Sequence, residues 1–384
     1  MASGAVGGPI WVRKMRTLFR RLDVHGNGFL MVDDLLAVAS GIFSVYPKME
    51  AYKNDLVVKT LVYLWYNVIC SHLKRQEATM ATVNEAKFVE NMQKALQQGP
   101  FIDQFYELFT DPLFEAMDQD ADKKITGPEF HTLMVSFASV DRDVDTIFKL
   151  RCDGNKWALD AFRQTFMEFF TSDEAKSKIN RLWGPLLEYK RAEDYGTIDC
   201  GPVWEGKMRT MFRRFDVGES MKLRCHDLLN IGQFLIQRNH MDRKKADNVL
   251  RNMLHVWVKY LAVDKSGERL DEIREIEFIH NLRDMINGDY RHEIDQFGWT
   301  FFKALEVDNS GYITQAAYRN LQEAWHVGRD EAEGMFKIID TNKDGKISSD
   351  EFLTAWNDYF LSEDPHSPYR MFFGPVISRQ TEAK

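Results

Sequence analysis

The chain has 384 residues, of which 44% are hydrophobic and 28% charged, and it carries a formal net charge of −8. That length exceeds one ordinary core and suggests two or three domains, while the ordinary globular proportions give no support for disorder or a coiled coil. The modest carboxylate surplus disfavours a nucleic-acid binder and permits cation binding.

The opening MASGAVGGPI has no basic stretch ahead of an apolar core, and residue 2 is Ala where myristoylation needs Gly, so no targeting segment or anchor is expected. From Trp11 the pattern is helical: Trp11, Met15, Leu18, Phe19 and Leu22 form a stripe that should face a core. The neighbouring Arg16, Arg20 and Arg21 read as a solvated face. This helix runs into DVHGNGFLMVDD (23–34), a twelve-residue calcium-type loop in which Asp23, Asn27, the Phe29 carbonyl and Asp34 occupy ligand positions. His25 stands where an oxygen belongs, and Asp34 reaches an ion bidentately less easily than Glu. The loop suits weak calcium or magnesium binding.

The apolar run LVVKTLVYLWYNVIC (56–70) is broken by Lys59 and Asn67 and is shorter than the ~20 residues a bilayer requires, so it reads as a buried helix. The residues after Trp65 keep helix-loop-helix flanks without a ligand array. Next comes DQDADKKITGPE (118–129), with Asp118, Asp120 and Asp122, the Lys124 carbonyl and the closing Glu129 all in ligand register. Its flaw is Lys123 at the turn position, where a side chain in the left-handed region costs on the order of 1 kcal/mol. Around Cys152 to Phe162 the following loop is two residues short. FFTSDEAKSKINRLWGPL closes this part of the chain, and the polar EYKRAEDYGTIDCGP (188–202) reads as an exposed connector.

The chain then repeats itself. VWEGKMRTMFRRFDVGESMKLRCHDLL (203–229) agrees with residues 10–36 at about half of all positions, and YFLSEDPHSPYRMFFGPV closes the second copy with the same aromatic-Gly-Pro triplet. Two tandem domains follow, 1–190 and 200–384. Trp204, Met208, Met211, Phe212 and Phe215 repeat the helical stripe, and Arg209, Arg213 and Arg214 repeat the basic face. In DVGESMKLRCHD (216–227), Gly218 and Ser220 replace ligand oxygens and Met221 replaces the turn glycine. DKSGERLDEIRE (264–275) places Asp271 where an apolar residue belongs, and EVDNSGYITQAA (306–317) ends on Ala317 without its closing carboxylate. DTNKDGKISSDE (340–351) satisfies every requirement: Asp340, Asn342 and Asp344 supply side-chain oxygens, Gly345 the sharp turn, Lys346 its carbonyl, and Glu351 both carboxylate oxygens. The four cysteines, Cys70, Cys152, Cys200 and Cys225, are far apart with no CxxC, which indicates reduced structural thiols.

WVRKMRTLFRRLDVHGNG, the Asp closing that loop, the long degenerate second unit and the SEDPHSPYRMFFGPV ending together resemble the invertebrate sarcoplasmic calcium-binding proteins, twice over. The resemblance implies an all-α EF-hand fold of two tandem four-EF-hand globules with several degenerate loops, each with its C-terminal segment tucked inward. It also implies a cytosolic Ca²⁺/Mg²⁺ buffer. The related calcium-triggered photoproteins resemble the same fold with a luciferin in the central cavity. Here Met15 and Met208 occupy the first-helix position of their cavity His, and Trp356 the corresponding last-helix position. Three readings stay open: a calcium-binding module with no catalytic role, a protein holding a small apolar ligand among its many aromatic residues, and a sensor that opens an apolar groove. Neither nucleic acid nor membrane is expected as a partner.

Overall fold

Short strands alternate with helices along the chain. The computed structural model describes residues 6–47, 49–98, 104–136, 141–184, 186–262, 270–288, 291–307 and 310–377. Helix starts follow local chemistry. Pro9 and Pro202 occupy the first turn of Pro9–Leu22 and Pro202–Phe215, where no intrahelical N–H is needed. Asn84, Asp242, Thr314 and Ser348 each cap a helix by accepting from the N–H three residues on.

The strands form four antiparallel pairs: β1 (Phe29–Leu30) with β2 (Val83–Asn84), β3 (Ile125–Thr126) with β4 (Lys156–Trp157), β5 (Lys222–Arg224) with β6 (Glu272–Arg274), and β7 (Tyr312–Thr314) with β8 (Lys346–Ser348). At their centres Leu30 faces Val83, Ile125 faces Trp157, Leu223 faces Ile273 and Ile313 faces Ile347. Each ladder couples the loops of two consecutive helix-loop-helix units, so that among the described residues the units pair as sequence neighbours. The fold is all-α EF-hand.

The chain divides into two compact units, one of residues 1–24 and 28–187, the other of residues 25–27 and 188–384. Both close in the same way. The Trp11 indole donates to the Phe170 carbonyl at 2.6 Å, and the Trp204 indole to that of Phe360 at 2.8 Å. Lys14 and Lys207 lie fully buried and donate to the carbonyls of Ser172 and Ser362 at 2.5 and 2.6 Å, capping the last long helix of each unit at its negative end. Arg21 holds the Trp183 carbonyl at 3.0 Å and Arg214 that of Phe373 at 3.1 Å. The next residue is glycine for a physical reason. Gly184 and Gly374 have φ of +96° and +83°, and a Cβ would stand 2.8 Å from the Arg21 guanidinium in one and from Val327 in the other.

In the first unit Trp183 packs edge-on against Phe166 and Phe169. In the second, the Trp356 ring is surrounded by those of Phe297, Phe301, Phe352, Phe360, Phe372 and Phe373 at 4.9 to 6.0 Å between centroids.

Two expectations need correction. The arginines beside the first-helix stripe are not a solvated face. Arg16 and Arg20 are 7% and 4% exposed and lie 2.8 and 2.9 Å from Glu85, while Arg209 and Arg213 each lie 2.9 Å from Glu275. Glu85 and Glu275 each stand two residues past the centre of a strand (Val83, Ile273), so the second loop of each unit presents a carboxylate to the arginines of the first helix. The connector is not simply exposed either. Tyr189, Ala192 and Ile198 are buried, the Ala192 N–H donates to Asp295 at 3.2 Å, and Asn357 donates to the Lys190 carbonyl at 2.9 Å. Three apolar side chains spaced along a polar segment were enough to dock it on the second unit.

Candidate metal centres

The loop 340–351 leaves the helix Arg329–Ile339 and enters Ser349–Leu361. Gly345 has φ +81°, the left-handed value that turns the chain back on itself. Asp340 is 7% exposed and accepts from the N–H groups of Asp344 at 3.1 Å and Gly345 at 3.0 Å. Asn342 accepts from the Asp344 N–H at 2.9 Å, and Asp344 from that of Lys346 at 2.9 Å. Backbone donors thus hold the side chains of positions 1, 3 and 5 within the loop. The Lys346 carbonyl belongs to β8 beside them. Glu351 accepts at one oxygen from the N–H and hydroxyl of Thr341 at 3.0 and 2.9 Å, and at the other from those of Ser348 at 2.9 and 2.8 Å. Burial pushes its pKa up, but these hydrogen bonds outweigh burial and hold the carboxyl below its ordinary value, so it is anionic at neutral pH.

The loop 118–129 has the same plan. Asp118, 6% exposed, accepts from the Asp122 and Lys123 N–H groups at 3.1 and 2.8 Å. Asp120 accepts from the Asp122 N–H at 3.2 Å and Asp122 from that of Lys124 at 2.9 Å. Glu129, 8% exposed, accepts from Gln119 N–H at 2.8 Å and from Thr126 N–H at 2.8 Å. Carboxylate oxygens of Asp118, Asp120 and Glu129 lie within 4.8 Å of one another. Burial raises the Asp118 pKa, as expected of an anion gathered among anions. Lys123 does adopt the strained turn, with φ +63°. Two lysines that the sequence did not single out hold this loop. The nearly buried Lys53 ammonium donates to the Asp118 carbonyl, and Lys156 of β4 forms an ion pair with Asp122. The Lys156 hydrogen bond holds the Asp122 carboxyl below its usual pKa.

In the loop 23–34 Asp23 and Asp34 are both fully buried. Asp23 accepts from the Gly28 N–H at 2.8 Å, and Asp34 from that of Met31 at 2.9 Å. Phe29 begins β1, which keeps its carbonyl at the expected place along the loop, and His25 and Asn27 are half-buried. The turn glycine, Gly28, has φ +81°.

The other loops show how ligands were lost while the frame persisted. Asp216 accepts from the N–H groups of Ser220 and Met221 at 2.9 and 2.7 Å, with Met221 forced to φ +63°. In the loop 306–317 the Ala317 N–H is capped by the Thr314 hydroxyl at 3.2 Å in place of a closing carboxylate. Glu306, wholly buried, accepts from Gly311 N–H at 2.6 Å and from Lys303 at 2.5 Å. Trp157 follows Cys152 by five positions where Ile125 follows Asp118 by seven, which is the two-residue shortening. In the second unit the strand centre opposite Leu223 is Ile273, two residues beyond Asp271, so the helix begins later than the 264–275 register supposed. Residues 263–269 of that stretch lie outside the described residues.

All-oxygen donor sets with backbone N–H groups turned onto their carboxylates fit a hard divalent cation the size of calcium. An EF-hand domain pair model matches residues 299–356. The chain is 26% identical over 176 residues to the sarcoplasmic calcium-binding protein of Perinereis vancaurica tetradentata, a match covering 46% of this chain and 99% of that one. It is 27% identical over 78 residues to the luciferin-binding protein of Renilla reniformis, covering 20% of this chain and 42% of that one. Among solved structures, the coelenterazine-binding protein from Renilla muelleri matches at a TM-score of 0.40 with 20% identity, covering 46% of this chain and 99% of the other.

Proposed function

We propose that this EF-hand protein, two tandem units each similar in extent to a sarcoplasmic calcium-binding protein, takes up calcium at Asp118–Glu129 in the first unit and Asp340–Glu351 in the second. The observation that carries the reading is the closing glutamate of each loop: Glu129 is buried with oxygens of Asp118 and Asp120 close by, and each oxygen of Glu351 is held by a backbone donor. Two closing-carboxylate oxygens and three side-chain oxygens, completed by a carbonyl, supply the ligand number calcium requires. The loop 23–34, with His25 at position 3 and the short Asp34, is a weak third site where magnesium competes.

A buffering role is favoured over a sensing one because the apolar surface a sensor would offer a target is filled in cis. Phe372 and Phe373 of the closing segment are fully buried against Trp356 and Tyr359, and Arg214 fixes the Phe373 carbonyl. In the first unit, the gap among Ile42, Tyr46, Met49, Val57 and Leu133 is too narrow to admit a water molecule. The role is one of binding with no chemical step, in a reducing compartment such as the cytosol. Burial lifts the Cys70 thiol to about 11, and all four cysteines are free. Calorimetric titration of the calcium-stripped chain tests the reading. Heat of binding that Glu351→Gln and Glu129→Gln each remove in part is expected, and an isotherm insensitive to both substitutions would contradict it.

A further inference from the structure

The two better loops differ in what their partner strand sends toward them. In the first unit β4 places Lys156 directly before the strand centre Trp157, and its ammonium pairs with the second carboxylate oxygen of Asp122. The first oxygen already accepts the Lys124 N–H at 2.9 Å. Both oxygens of this ligand are therefore committed, and Asp122 is not among the carboxylates of Asp118, Asp120 and Glu129 that lie within 4.8 Å of one another. The corresponding residue of the second unit, directly before Ile313, is Tyr312, and its ring lies 5.3 Å from the Lys346 ammonium. Asp344, the counterpart of Asp122, accepts from the Lys346 N–H and has no ion pair among the described residues. In that unit the lysine near the degenerate loop, Lys303, is spent on Glu306 of the same loop.

We propose that Lys156 is a built-in counter-cation of the loop 118–129, set in place by the shortened partner loop, and that it lowers this loop's calcium affinity below that of 340–351. The inference rests on the calcium reading of the loop and deepens it. A divalent ion entering the first-unit site must take the Asp122 oxygen from an ammonium whose side chain, like that of Asp122, is 32% exposed. Partial exposure keeps the exchange cheap enough to occur, because a half-solvated pair is held only weakly. The lysine thus sets an affinity threshold without closing the site.

The test compares the full chain with Lys156→Met, Lys156→Arg and Glu129→Gln, each stripped of metal and titrated with calcium chloride by calorimetry. Glu129→Gln identifies the first-unit phase. In Lys156→Met that phase should tighten by about threefold or more, the gain expected from removing one partly exposed ion pair. Lys156→Arg, which keeps the cation, should leave it near the parent value, and the Glu351-dependent phase should stay put in both. A Glu129-dependent phase that appears only in Lys156→Met also supports the inference. A phase that is unchanged or weakened in Lys156→Met overturns it while leaving the calcium reading intact. Absence of any Glu129-dependent heat in parent and variants overturns the reading of the loop itself, and the inference with it. Because Lys156 is at the surface, misfolding is not expected. The parent alone supplies a second readout, since the Lys156 Cε resonance should shift at the calcium equivalents that fill the first unit, and a resonance that stays fixed would count against the exchange.

Discussion

Ser348 holds one oxygen of Glu351 with both its N–H and its hydroxyl, at 2.9 and 2.8 Å. The pair is a helix-capping box as well as the closing edge of the proposed calcium loop, which gives Glu351 two separable jobs in that reading. Glutamine satisfies the first and fails the second. Glu351→Gln should therefore change the unfolding free energy of the metal-free protein by less than about 1 kcal/mol, while weakening calcium binding in the second unit by roughly tenfold or more. Urea titrations in chelator, set beside calcium isotherms, check both halves. A large loss of metal-free stability would show that the cap needs the charge.

Lys123 and Gly345 occupy the same turn, at φ +63° and +81°. A Cβ on Gly345 would meet nothing within 4 Å, so any penalty there comes from backbone conformation alone. Gly345→Ala should destabilise the metal-free protein by about 1 kcal/mol. Lys123→Gly should tighten calcium binding in the first unit. Denaturation midpoints for the first and calorimetry for the second decide, and a neutral Gly345→Ala would contradict the strain argument.

Burial lowers the pKa of both Lys14 and Lys207 to about 8. An unfolded lysine releases its proton only near ~10.4. Between these values the unfolded chain binds more protons than the folded one, so these two groups make stability rise with pH across that window. A ¹³C titration of lysine side chains should show two residues with midpoints near 8. Titration of every lysine above pH 10 would refute the assignment.

Glu85 serves Arg16 and Arg20, and all three side chains are largely buried. Glu85→Ala removes the carboxylate that two largely buried arginines share and should cost about 2–4 kcal/mol. Thermal unfolding in chelator measures it. Glu85→Gln should cost less, because it keeps an acceptor for one arginine. Equal losses in the two variants would indicate that packing and not charge is at stake.

Much of the architecture was legible because it is written in local pattern. The Trp11 and Trp204 stripes have helical period, and the apolar residue at the eighth position of 118–129 and of 340–351 became a strand centre, Ile125 or Ile347. The ligand spacing of 340–351 was readable for the same reason, since all its requirements lie within twelve consecutive residues. What stayed hidden depends on residues far apart in sequence. Arg16 looks like any solvated arginine until Glu85 arrives from 69 residues away. Lys156 acquires meaning only across the ladder from Thr126, and the connector looked exposed because Tyr189, Ala192 and Ile198 are too sparse to form a period. Asp271 misled for a related reason: the strand register is fixed by Ile273 facing Leu223, and the loop length ahead of it is irregular.

The central claim is that each unit has one competent loop paired with a damaged one, Asp118–Glu129 with the shortened loop at Cys152 and Asp340–Glu351 with the loop ending at Ala317. Calcium titration calorimetry of the intact chain tests it most directly. It should count two tight ions, with at most one further weak ion at Asp23 and little cooperativity within a pair, since no second ion shares the ordering cost. Glu351→Gln should abolish one tight event and Glu129→Gln the other. Four or more tight ions in the parent, or an unchanged isotherm in the Glu351→Gln chain, would contradict the account.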